Sequence, residues 1–224
     1  MKPEEFVTGL RSVFEARADA ARAPGMQAYM KDQFAFLGVS SPERRIATKL
    51  CWPKNAAVTG DWLLEVTRLA WDQPEREFQY AALDTLLKFR KGLRASDLQP
   101  LTLILLEKVW WDSIDPFASH TVGDLVSRFP ELISAMEANS SHENLWRKRI
   151  AILHQLGYKS RTDTARLVAF SLENAGHDSF WVRKSLGWAW REYFRTDPDF
   201  VRAFFAAHGQ KFSNLTVREA LKHA

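Results

Sequence analysis

An all-α fold built from repeated helix pairs is what this 224-residue chain predicts, and three observations predict it. Apolar residues recur at a period near 3.6 through almost the whole length, while strand-like alternation is nearly absent. Connections between the periodic stretches are short, with no Gly/Ser-rich linker or low-complexity run. The chain also echoes itself: the segments RRIAT, QYAAL, IDPFA, KRIAI, RKSLG and REALK, starting at Arg44, Gln79, Ile114, Lys148, Arg183 and Arg218, follow at steps of 35, 35, 34, 35 and 35 residues. Each lies near the start of one periodic stretch and is preceded by another, so the repeating unit is a helix pair. A period in this range belongs to α-solenoids of the HEAT or armadillo kind, here of about six pairs. Such stacks bury a continuous core and leave one concave surface for a ligand. The length, with 46% hydrophobic and 26% charged residues, suits one domain spanning 1–224.

Taken in order, apolar periodicity predicts helices at 3–20 and 24–36. The next, at 42–52, opens with Ser-Pro-Glu at 41–43 and contains the first echo, Arg44. Periodicity gives 60–71, and Pro-Glu at 74–75 opens 74–91 around Gln79. Helices follow at 96–110 and at 113–128, the latter starting on Ile114. Pro-Glu at 130–131 begins 130–138, and 143–157 carries Lys148. Then come 162–174, 178–195 with Arg183, 197–208 behind Asp-Pro-Asp at 197–199, and 214–223 with Arg218. Proline suits the first turn of a helix, where its missing N–H would have no partner anyway.

Composition excludes several classes. No stretch reaches the roughly 18 apolar residues of a membrane span, and the N-terminal MKPEEFVTGLRSVFEARADAARA lacks the apolar block of a signal peptide, so the expected compartment is the cytoplasm. The single cysteine, Cys51, allows no intramolecular disulfide and no cysteine cluster for a metal; it reads as a buried structural thiol. His120 and Asp124 stand four apart, yet the six histidines form no metal-binding set, so none is expected. The formal charge of +4 is uneven: from residue 141 onward 14 Lys and Arg face 8 Asp and Glu, leaving the first 140 residues at −2. The C-terminal part can therefore offer a basic face to phosphates, or a merely solvated one.

The stretch KVWWDSIDPF, 108–117, gathers two tryptophans and two aspartates. Repeat phasing gives it a setting. The residue after each echo start is Arg45, Tyr80, Asp115, Arg149, Lys184 or Glu219, a polar row that places Asp115 and Arg149 as neighbours on one wall. Trp111 lies four residues before Asp115, and Trp188 four after Lys184, each about one helical turn away. Indole faces attract cations, at about 0.5–2 kcal/mol per contact. A fixed carboxylate stabilises positive charge beside it and can orient water, and arginine holds phosphates. A cationic group carried on a polyanion fits this set. Alkylated purine in DNA is one, because alkylation at N7 or N3 charges the base and weakens its N-glycosidic bond.

WWDSID at 110–115, MQAYMKDQFAFLGVSSPERR at 26–45, PEREFQYAALD at 74–84 and WAWREYFRTDPD at 188–199 together resemble the DNA alkylation repair family of AlkD-type, HEAT-like-repeat DNA glycosylases, over nearly the whole chain. The resemblance implies hydrolytic excision of positively charged N3- and N7-alkylpurines, without metal or organic cofactor and without lyase activity; a monomer holding duplex DNA in a basic concave groove is expected. It also implies that Trp111 and Asp115 are the catalytic pair, with Trp188, Arg149 and Tyr29 completing the lesion-side surface. Most glycosylases flip the base into a deep pocket; this family is expected to grip the damaged strand's backbone instead, so bulky alkyl groups are tolerated and neutral lesions are poor substrates.

Each choice has a structural alternative. Asp115 before Pro116 also suits a helix N-cap, and Asp112 could cap the same turn. Trp110, Trp52, Trp62, Trp71, Trp146 and Trp190 fit apolar helix faces, and Tyr29 could be buried. Arg147 and Lys148 could touch phosphate or face water; Lys184 and Arg191 are the better phosphate candidates. Two rival functions remain beside the glycosylase: a relative that binds damaged or branched DNA without cutting, and a HEAT-type protein–protein scaffold.

Overall fold

The computed structural model describes residues 1–54 and 57–223. Among these, regular structure is helical throughout, apart from one isolated bridge between Ala35 and Glu75. None of the described helices is long and apolar enough to cross a membrane. The chain forms two compact units, Met1–Lys108 and Val109–Ala224.

The first unit contains α1 (Pro3–Glu15), α2 (Ala23–Tyr29), α3 (Ser41–Cys51), α4 (Gly60–Asp72), α5 (Arg76–Phe89) and α6 (Leu98–Glu107). Helix α1 packs on α3 and α4, α3 on α5, and α4 on α5 and α6. Phe6, Leu10, Phe14, Leu63, Trp71 and Phe78 fill the space between them. Ser40 and Glu43 cap α3 reciprocally, as the Ser-Pro-Glu signal requires.

Helices α1 and α2 are shorter than their periodicity predicts, and both stop for tertiary reasons. The stretch 3–20 ends at Glu15 because Asp19 turns the chain: its carboxylate accepts the N–H groups of Ala21 and Arg22, while its own N–H donates to Leu37 O at 2.9 Å. The stretch 24–36 ends at Tyr29, since Lys31 and Asp32 adopt φ of 58° and 57°, a left-handed conformation that no right-handed helix continues. Beyond them, the buried Glu77 accepts the N–H groups of Leu37, Gly38 and Val39 at 3.2, 2.9 and 3.1 Å. Burial pushes the Glu77 carboxyl above its ordinary pKa, and these amide donors oppose that shift. Gly38 has φ of 85°, and a Cβ there would lie 2.1 Å from Asp19 O, so glycine is required. Cys51 is half-buried rather than buried, and its thiol pKa is pushed up by burial.

The second unit contains α7 (Trp111–Pro116), a π-helical segment (Phe117–Val122), α8 (Gly123–Arg128), α9 (Ile133–Ser141), α10 (Leu145–Leu153), α11 (Thr164–Glu173), α12 (Phe180–Phe194), α13 (Pro198–His208) and α14 (Asn214–Ala220). Helix α10 packs on α7, α9, α11 and α12, and α12 on α13 and α14. The helix predicted at 113–128 thus runs from Trp111 to Arg128 with wider turns in its middle. Pro116 explains them: it lacks the N–H that would bond the Asp112 carbonyl, and the ladder reorganises immediately after it. Asp197 caps α13 by accepting from Phe200 N at 3.0 Å, as Asp-Pro-Asp predicts.

The 35-residue phasing is realised in both units. Arg44, Gln79, Ile114, Lys148 and Arg183 each stand fourth in α3, α5, α7, α10 and α12, and Arg218 fifth in α14. Trp71, Trp146 and Trp190 are buried, and Trp190 stacks on Phe204 with ring centroids 4.0 Å apart. Trp52 and Trp62 are half-buried, with their indole N–H groups on Thr85 Oγ1 and Met1 O.

His154, fully buried after α10, has Nδ1 on Ala151 O at 2.6 Å and an Nε2 without a partner. Burial lowers its pKa from 6.5 to about 4, so the unfolded chain takes up the proton at higher pH than the fold does. Its neutral form stabilises the fold fully above pH 6.5, and that contribution is lost as pH falls toward 4. Urea unfolding at pH 7.5 and pH 5 is expected to differ by about 2 kcal/mol from this residue, and His154→Leu removes that difference; an unchanged pH dependence in the variant contradicts the assignment.

Candidate functional site

Asp115 is the fifth residue of α7, and the N-cap of that helix is Trp110. The capping role that Asp-Pro suggests is therefore not taken up; the ladder absorbs Pro116 in the π segment instead. The Asp115 carboxylate is clamped by Arg149 from α10, with Nε donating to Oδ1 at 2.6 Å and Nη2 to Oδ2 at 2.8 Å. Such a two-pronged match fixes orientation as well as charge. Arg149 Nη1 donates to the Trp181 carbonyl at 2.5 Å, tying α12 into the same arrangement. Asp115 is 7% exposed and Arg149 2%.

The predicted neighbours on the polar row are thus in direct contact. The same geometry engages Arg149 within the protein: Nε, Nη1 and Nη2 all have protein partners, and little of the side chain meets solvent. Burial pushes the Asp115 carboxyl above its ordinary pKa of 3.8; the Arg149 guanidinium opposes this, and the Asp112 charge adds to it.

Tryptophans lie on the same helices, α7 and α12, that this arrangement ties together. Trp111, half-buried, begins α7 one turn before Asp115. On α12, Trp181, Lys184, Trp188 and Arg191 follow at i, i+3, i+7 and i+10 and share one face of the helix. Trp188, also half-buried, lies about 10 Å along the axis from Trp181. Trp110 packs against Trp146 and Trp181 with centroids 5.8 and 5.1 Å apart, in keeping with its structural reading, although its Nε1 is buried without a partner. Trp181, whose carbonyl accepts from Arg149, is not among the residues singled out from the sequence. The signal was present: Trp181 follows Trp146 by one 35-residue repeat.

The basic candidates are held by neighbours. Lys148 Nζ donates to Ser140 O and Asn174 Oδ1, both at 3.0 Å. Lys184 and Arg191 both pair with Glu219 of α14, at 2.6 and 2.7 Å. Tyr29, at the end of α2 in the first unit, is 68% exposed, which overturns its alternative reading as a buried packing residue. Among the described residues no group of three or more His, Cys, Asp and Glu side chains converges as metal ligands would; His120 and Asp124 gain no third member.

Residues 10–224 match the family described as DNA alkylation repair enzyme, and the chain belongs to that family. A solved structure described as a predicted DNA alkylation repair enzyme from Enterococcus faecalis is 28% identical, with a TM-score of 0.82 over 92% of this chain and 96% of that one. No curated protein matches the sequence. The fold class is the all-α solenoid of helix-pair repeats that the phasing predicts. The family assigns the chain a role in DNA alkylation repair, with DNA as the molecule it acts upon.

Removing the guanidinium leaves a buried carboxylate without its counter-charge. Arg149→Met is therefore expected to destabilise the fold by about 3–5 kcal/mol. Adding Asp115→Asn to that variant restores part of the loss, because the stranded charge is gone. Chemical denaturation of the wild type and the two variants checks this; no recovery in the double variant contradicts the pairing.

Proposed function

We propose that the protein is a monofunctional DNA glycosylase, acting as a cytoplasmic monomer, that hydrolyses the N-glycosidic bond of positively charged N3- and N7-alkylpurines in duplex DNA. The observation that carries this reading is the buried Asp115 carboxylate, fixed at two points by Arg149, one helical turn from the Trp111 indole. An alkylated purine carries positive charge before the reaction and leaves as a neutral base, taking the bonding electrons. The charge then resides on the sugar as an oxocarbenium-like centre at C1′. A carboxylate shielded from water stabilises that charge more strongly than it could in bulk solvent.

Asp115 can also orient the water that attacks C1′, whose proton passes to the carboxylate or to solvent. The products are the free base and an abasic site, with no redox or cofactor step. Arg149 keeps the carboxylate in one orientation, so little reorganisation accompanies the reaction. Trp111 and Trp188 offer ring faces to the cationic nucleotide. Tyr29, Lys148, Lys184 and Arg191 are assigned to the sugar–phosphate backbone. The same Arg149 pairing favours a second reading, binding of damaged DNA without excision, because the guanidinium offsets some of the carboxylate's charge.

Release of free base from a duplex containing 7-methylguanine separates the two. Under the glycosylase reading the wild-type protein releases 7-methylguanine, and Asp115→Asn slows release by roughly 10²–10³-fold while DNA binding persists. Binding without release supports the second reading, and a variant as fast as wild type removes Asp115 from the mechanism. Because the Asp115 pKa is raised by burial, the rate is expected to decline on the acid side at a pH above 3.8, as the carboxylate takes up its proton. Uracil and 8-oxoguanine, being neutral, should stay in the duplex; their efficient release would sink the account.

A further inference from the structure

Lys184 and Arg191 flank Trp188 on α12, one turn to either side, and both are committed to a single acid. Lys184 Nζ lies 2.6 Å from Glu219 Oε1, and Arg191 Nη1 lies 2.7 Å from Glu219 Oε2. The carboxylate is the more buried member: its side chain is 12% exposed, against 36% for Lys184 and 22% for Arg191. It is held there by backbone approach. Gly187 lies against α14 so closely that a Cβ on it would sit 2.5 Å from Glu219 Cβ and 2.9 Å from Thr216 O. Thr216 Oγ1 donates to Arg183 O at 3.0 Å across the same contact. The backbone and Cβ of Glu219 are therefore fixed against α12. The pairing with Lys184 holds its pKa below the ordinary carboxylate value, so it is charged at neutral pH.

We propose that Glu219 is an internal competitor for backbone phosphate: it occupies, with its two oxygens, the donors that Lys184 and Arg191 would otherwise present to DNA beside Trp188. This rests on the reading of the protein as a DNA-binding enzyme. Two cations held by one anion leave a net charge of +1 at this place instead of +2. A phosphate arriving there must share or displace the carboxylate's bonds. Undamaged duplex is consequently held weakly at the Trp188 face. Glu219 thus sets how tightly the second unit grips DNA in general, and a nucleotide that also engages Trp188 or Asp115 gains the advantage.

The test is equilibrium binding of a fluorescent, undamaged duplex across a salt series, comparing wild type, Glu219→Gln, and both forms in a Lys184→Met/Arg191→Met background. Glu219→Gln is expected to bind roughly three- to tenfold more tightly at low salt. Its plot of log K against log salt should steepen by about 0.9, the value for one added phosphate contact. In the Lys184→Met/Arg191→Met background the substitution should have no effect. Asp199→Asn, at an exposed acid of the same unit, controls for the loss of one negative charge anywhere on the protein. Weaker or unchanged binding by Glu219→Gln, a gain that persists without the two cations, or an equal gain in Asp199→Asn overturns the proposal. If wild type fails to bind and Glu219→Gln binds, competition is supported; if neither binds at low salt, the DNA reading falls and this inference with it.

Discussion

The two-point contact between Arg149 and Asp115 is the constraint on which the second unit depends. A carboxylate and a guanidinium removed from water each lose several kcal/mol of hydration, and only close, correctly aligned pairing offsets that loss. Here the alignment joins three helices. Asp115 belongs to α7, Arg149 to α10, and the third nitrogen of the guanidinium reaches the backbone of α12 at Trp181. A well-packed apolar pair would hold the helices at least as firmly, so stability alone gives no reason for burying charge. A reaction that generates positive charge does give one, because it needs a carboxylate that is oriented in advance and poorly hydrated.

One face of α12 carries several of the residues proposed to meet DNA. Its Trp181–Lys184–Trp188–Arg191 stripe alternates ring and cation, while the opposite side buries Leu186 and Trp190. Tight approach of α14 at Gly187 brings an acid onto the two cations. The π segment after Pro116 acts in the same spirit on α7: Asp115 sits just before the irregular turns, and Ser119 Oγ donates to its backbone carbonyl at 2.7 Å. The irregular turns therefore begin just after Asp115, at Phe117.

Much of this was legible in the sequence, because repeat phasing is a long-range signal that survives uncertainty about helix ends. It placed Asp115 beside Arg149, and with equal clarity it set Lys184 and Glu219, of opposite charge, at successive positions of the row. What it could not supply was the result of non-local bonds. Helix α1 ends early because Asp19 meets Leu37, and the segment after α2 is extended because Glu77, some forty residues away, draws in its amides. Asp-Pro at 115–116 has the local chemistry of a cap, and only the packing of α7 and the π segment on α10 decides that the helix continues through it. Trp181 stands one 35-residue repeat after Trp146, each as the second residue of its helix, and only the fold shows its carbonyl on Arg149.

The central claim is that Asp115 recognises positive charge on the sugar. It is tested most directly by the affinity of the protein for two duplexes, one carrying a cationic pyrrolidine abasic analogue and the other the neutral tetrahydrofuran, each measured with wild type and with Asp115→Asn. Wild type should bind the cationic analogue at least tenfold more tightly than the neutral one, and Asp115→Asn should lose that preference while keeping its affinity for the tetrahydrofuran duplex. Equal affinity of the wild-type protein for both duplexes, or a preference that survives in Asp115→Asn, would contradict the account.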